Sequence, residues 1–126
     1  MLVSFIGEKM KKIYLCCPYS HPEESERLKR FEYANKTAAY LMLRGYVVFS
    51  PISHSHSIAN YIGNHLSHDF WLKQDFAFID WADELYVLML PGWKDSVGIG
   101  IEIEKWKTEK KTEIVYLDPE VVYGKI

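Results

Sequence analysis

Cysteine is nearly absent from this chain: there are two, and they are neighbours, Cys16 and Cys17. Adjacent residues at the end of a strand point to opposite faces, which argues against a disulfide between them. No Cys or His spacing of the zinc-binding kind accompanies them. They read as buried, reduced thiols of a cytoplasmic protein. Long apolar runs are also missing. Residues 1–7 are apolar but too short for a signal peptide or a membrane span, and no later run qualifies, so a soluble, non-secreted chain is expected. Charge of one sign is missing too: the formal net charge is −2, which leaves no electrostatic footprint for nucleic acid. There is no internal repeat and no low-complexity segment, and the Gly-x-Ser-x-Gly elbow of serine hydrolases does not occur.

What the chain does have is hydrophobic residues at 48%, enough for a core at its 126 residues, and one domain is expected over 1–126. Nine Tyr, six Phe and four Trp supply rings that fill a core or stack on a flat ligand such as a base.

Apolar runs alternate with helical patterns. Residues 12–17 read as a first strand, ended by Pro18. Pro22, Glu23, Glu24 and Glu26 suit the start of a helix, and Leu28, Phe31, Ala34, Ala38, Leu41 and Met42 recur as one apolar stripe up to Gly45. Tyr46-Val47-Val48-Phe49 is a second strand closed by Pro51. Residues 50–66 read as an irregular, functional loop or lid, with His54 and His56 on one side of an extended segment. A helix is expected over 67–81, with Phe70, Trp71, Gln74, Phe78 and Trp81 as its packed face. A buried strand follows over 85–90, a helix after Gly100, a last strand over 113–117, and a surface strap over 120–126. This β-α-β-α-β-α-β order predicts an α/β fold, a three-layer α/β/α sandwich of the flavodoxin or Rossmann type. Its small parallel sheet has strand order 2-1-3-4.

In such a sheet, ligands sit at the carboxyl ends of the strands where the order reverses. The loops after strands one and three, 18–22 and 91–98, therefore converge on one crevice. Ser96, Gly98 and Gly100 lie at the second loop, where glycines let backbone N–H groups approach a ligand. Tyr19, Ser20 and His21 line the facing loop. Glu102 follows the glycines directly; it is either a solvated helix glutamate or a nucleophile at a sugar anomeric carbon. Asp75 lies beside the apolar stripe of its helix and is either a surface acid or a pocket acid that orients a leaving base. Tyr14, inside the first strand, is either core packing or the phenol that holds a carboxylate. Asp80 and Asp83 fit caps or turns. His54, His56, His65 and His68 lack an acidic or cysteine partner at a recognised spacing, so no metal is assigned; a substrate contact from His54 is favoured instead.

Ile13-Tyr14-Leu15, Asp75 ahead of Ala82-Asp83-Glu84-Leu85, and Ser96-Val97-Gly98-Ile99-Gly100-Ile101-Glu102 together resemble the nucleoside 2-deoxyribosyltransferase superfamily. The resemblance runs from about residue 12 to 118. The chain is similar above all to small bacterial and phage relatives that share patterns like Pro18-Tyr19-Ser20-His21-Pro22 and Leu90-Pro91-Gly92-Trp93. The resemblance implies that Glu102 is the nucleophile at C1′, Tyr14 the residue that positions it, and Asp75 the acid at the base. Ser96 stands where the transferases carry an aspartate. The similar 2′-deoxynucleoside 5′-monophosphate N-glycosidases have serine there, on the 5′-phosphate, which favours nucleotide hydrolysis. No cofactor is implied. Assembly as a homodimer or larger is implied, with a neighbour's C-terminal residue completing the site; no residue here matches that one. Two other readings accompany this one: hydrolysis of a nicotinamide-ribosyl bond of the NAD type, and a non-catalytic nucleotide-binding or partner-binding module.

Overall fold

The computed structural model describes residues 10–63, 67–110 and 112–123. Four strands, β1 (Lys12–Cys16), β2 (Val47–Phe49), β3 (Glu84–Leu88) and β4 (Ile114–Leu117), form one sheet in the order β2-β1-β3-β4. Every pairing is parallel, with Tyr14 opposite Phe49 on one side and Leu85 on the other. The expected strand order is the observed one. The helices are α1 (Glu24–Met42), α2 (Pro51–Ser55), α3 (Ala59–Ile62), α4 (His68–Trp81), α5 (Val97–Glu109) and α6 (Pro119–Tyr123). None of them is long and apolar enough to cross a membrane.

Strand periodicity sorts the core into two layers. Ile13, Leu15 and Cys17 face one side with Tyr86 and Leu88, against Ala34, Ala38 and Leu41 of α1. Tyr14 and Cys16 face the other side with Leu85 and Val87, against Ile79 of α4 and Ile99 and Trp106 of α5. The two cysteines are free and buried on opposite faces. Because β1 is central and buried from Ile13 to Cys16, a one-residue slip would move Tyr14 to the wrong layer; the packing therefore sets its direction.

Several expectations change. Over its described part, 50–63, the expected irregular loop carries two short helices: Pro51 starts α2 at N1, where its missing N–H is no loss, and the Ser50 hydroxyl accepts from the Ser53 N–H. His54 and His56 consequently do not share a side; His65 lies outside the described residues, as do residues 1–7. The expected C-terminal strap is α6 over its described part, with Val122 buried. On α1, Leu28 and Met42 are exposed and Thr37 is buried, its hydroxyl donating to the Tyr33 carbonyl at 2.8 Å. On α4, Gln74 faces solvent and Ile79 takes the core position. Strand β3 ends at Leu88 although its apolar run continues to Leu90, which stays buried in the turn that follows.

Helices α4 and α5 lie side by side on the Tyr14 face. Lys110 binds the Asp80 and Ala82 carbonyls at 2.7 and 3.1 Å, and Lys105 reaches Asp80 at 3.2 Å. Asp83 is paired with Lys12 through both its backbone N–H (2.7 Å) and its carboxylate (2.9 Å), a turn role as expected.

Candidate active site

Helix α5 starts where Ser96, its N-cap, accepts from the Ile99 N–H at 3.2 Å. From there, Ile99, Glu102 and Trp106 form its buried face at i, i+3 and i+7. Glu102 thus occupies a core position of an otherwise apolar stripe and is only 6% exposed. A carboxylate there requires a partner. Tyr14 supplies it: the phenol, itself fully buried on the central strand, donates to Glu102 Oε2. Phe49 packs beside Tyr14 with ring centroids 6.0 Å apart and stacks in turn on Phe78 at 3.7 Å.

Burial pushes the Glu102 carboxyl up to about 8. The Tyr14 hydrogen bond opposes the rise, the negative charge of Asp75 adds to it, and the Cys16 thiol pulls the other way. Burial raises Asp75 to about 6. Tyr14 is raised well above its ordinary value, by burial first and then by the charge of Glu102, so it remains a donor. Between about 6 and about 8 the two carboxyl groups together therefore hold one proton, with Glu102 the acid and Asp75 the anion.

Glu102 and Asp75 both open onto a crevice of about 720 Å³, within the roughly 300–1,000 Å³ usual for small-molecule sites. It lies at the carboxyl ends of β1 and β3, between the loop carrying Tyr19 and Ser20 and the turn carrying Ser96 and Gly98. Arg30 ties the two loops together, donating to the Ser20 carbonyl at 3.0 Å and the Pro91 carbonyl at 3.3 Å.

One protein family matches residues 11–118, β1 through β4, and is described as a domain of unknown function, DUF1937. The chain belongs to this family. No curated protein matches it.

Of the residues expected at the site of this DUF1937 domain, Glu102, Asp75, Ser96, Gly98, Tyr19 and Ser20 line the crevice, and Tyr14 backs it. His21, His54 and Gly100 do not line it. Gly100 lies about 200° around α5 from Gly98 and faces open space. His54, drawn into α2, packs on Phe49 with ring centroids 5.3 Å apart. The His21 Nδ1 accepts the Glu23 N–H at 3.0 Å, which turns the ring toward a separate hollow. Nor does Gly98 need to be glycine for space: an added Cβ would meet nothing closer than His68 Nε2 at 3.7 Å.

The crevice also holds residues that the sequence did not place at the site, His68 and Trp71 having been read for a metal and for packing. His68, Trp71 and Leu72 lie seven, four and three positions before Asp75 on α4, a helical spacing that could have found them. Arg30 carried no signal; it reaches the crevice from the flank of α1. Among the described residues, no three His, Cys, Asp or Glu are grouped to hold a metal.

Proposed function

We propose that this DUF1937 domain cleaves the N-glycosidic bond of a nucleotide or nucleoside through a covalent glycosyl–Glu102 intermediate. The observation that carries the reading is the buried Tyr14–Glu102 hydrogen bond at the wall of a crevice that Asp75 shares. A carboxylate withdrawn from water, held by a phenol and open to a cavity is suited to meet a cationic anomeric carbon.

In this mechanism the base departs with its bonding electrons, and the one proton held by the pair, given up as Glu102 ionises, neutralises it. Glu102 attacks C1′ and forms the ester. Positive charge building at C1′ favours the Glu102 anion, so the shared proton moves toward the leaving base. Water, or an acceptor base, then attacks C1′ and frees Glu102, giving up its proton to the pair, which again holds one. Ser96 keeps its hydroxyl hydrogen free while accepting from Ile99, which suits a phosphate contact. Resemblance to the deoxyribosyltransferase superfamily supports the same roles for Tyr14, Asp75 and Glu102.

The test is incubation with nucleosides, nucleoside 5′-monophosphates and the matching dinucleoside diphosphates, with free base as the readout. Release by the wild type and none by Glu102→Ala is expected. No release by the wild type, or equal release by the variant, would sink the proposal.

A further inference from the structure

Next to the crevice lies a second hollow, of about 750 Å³, on the other side of Tyr19 and Ser20, which belong to both. The wall between them is built, not accidental. The Tyr19 hydroxyl and His56 Nδ1 are hydrogen-bonded at 2.7 Å, and the His56 ring stacks on Phe31 with centroids 4.0 Å apart. His21, Arg27 and Asn60 also line the hollow, and Glu24 is its one carboxylate.

Charge is distributed across this wall in a regular way. Arg30 is the only Lys or Arg among the described residues of the crevice, and Arg27 the only one in the hollow. The two stand three positions apart on α1, neighbours on one helix face. Each donates to a successive carbonyl of the same loop, Arg30 to Ser20 at 3.0 Å and Arg27 to His21. Both guanidinium groups are thereby fixed, one on either side of the shared wall, with donors to spare from the five that each carries. A single phosphate needs one such group. Two positive charges on a rigid track between two cavities suit two linked phosphates.

We infer that the crevice takes a nucleotide whose 5′-phosphate is bridged through a pyrophosphate to a second group, which lies in the hollow beside Arg27 and His56. This rests on the crevice being the nucleotide site; it changes the substrate from a simple monophosphate to a dinucleotide-type diphosphate ester. Arg30 would meet the phosphate next to the cleaved nucleoside and Arg27 the one beyond.

The experiment measures binding to the full-length Glu102→Gln protein, so that turnover does not interfere. The probes are each common nucleoside 5′-monophosphate and the matching symmetrical dinucleoside diphosphate. For one base at least, the dinucleotide should bind about 10–100-fold more tightly, as charge-assisted hydrogen bonds predict. Arg27→Ala in the same background should weaken the dinucleotide about 10-fold more than the monophosphate, and Arg27→Lys should recover part of the loss. Equal affinity for the two ligands, equal losses from both, or no binding of either overturns the inference. Base release by the wild type is scored separately. Selective dinucleotide binding without base release defeats the glycosidase proposal alone; base release without selectivity defeats this one alone.

Discussion

Replacing Glu102 by glutamine should stabilise the fold at neutral and alkaline pH, and the gain should grow with pH. The side chain is 6% exposed, and burial lifts its carboxyl from 4.5 to about 8. Below pH 4.5 the group is protonated in both folded and unfolded chains and behaves much like an amide. As pH rises from there, the unfolded chain releases its proton while the folded chain keeps it, so the stability of the wild type falls. The fall is about 1.4 kcal/mol per pH unit until the folded group also ionises near 8. It amounts to about 3 kcal/mol at pH 7 and about 5 kcal/mol well above pH 8, a large share of the roughly 5–15 kcal/mol of a typical domain. Glutamine has nearly the same shape, can still accept from Tyr14 and never ionises. Urea unfolding of both proteins at pH 5 and pH 9 measures the effect, because contributions from the other titrating groups largely cancel in the difference. The gap between the two should widen by about 3–4 kcal/mol over that interval. A gap that stays constant within about 1 kcal/mol would refute the claim that a desolvated carboxyl lies at this position. The stabilised variant should release no base, the trade expected when a strained group is kept for chemistry.

Three further predictions can be checked separately. The rate of base release should pass through a maximum between about pH 6 and 8, where the Asp75–Glu102 pair holds one proton. Tyr14→Phe removes a hydrogen bond that holds Glu102 down. It should lower that maximum about 10–100-fold and move the alkaline limb to higher pH; a lower maximum with unmoved limbs would argue against Tyr14 acting on Glu102. Gly92→Ala should lower stability by about 1–2 kcal/mol in thermal or urea unfolding. Gly92 has φ +90°, and its Cβ would come 3.2 Å from Arg30 Nη2, disturbing the link to the Pro91 carbonyl; an unchanged midpoint would remove that role for the turn.

The alternation of short apolar runs with amphipathic stretches is enough to predict a parallel sheet, because parallel strands are buried on both faces and need helical crossovers. The crevice at the ends of β1 and β3 follows from that topology. The Tyr14–Glu102 contact was not decided by pattern: the sequence left Glu102 either solvated or in a site and Tyr14 either core packing or a carboxylate's partner, and the packing of α5 on the sheet buries Glu102 against the phenol. Local signals carried less where two readings competed. Ser50-Pro51 ends a strand and also caps a helix, and only contacts with the rest of the fold select the helix for a segment of five residues. By its own pattern, then, the chain determined the α/β layers and the parallel sheet, and the expected strand order, which the pattern alone does not force, agrees with the observed one. Only the tertiary structure decided which side chains reach the crevice. Rotation about a helix axis carries Gly100 away from it, ring packing holds His54 behind it, a turn directs His21 into the neighbouring hollow, and Arg30 enters from a helix flank that no local pattern marks.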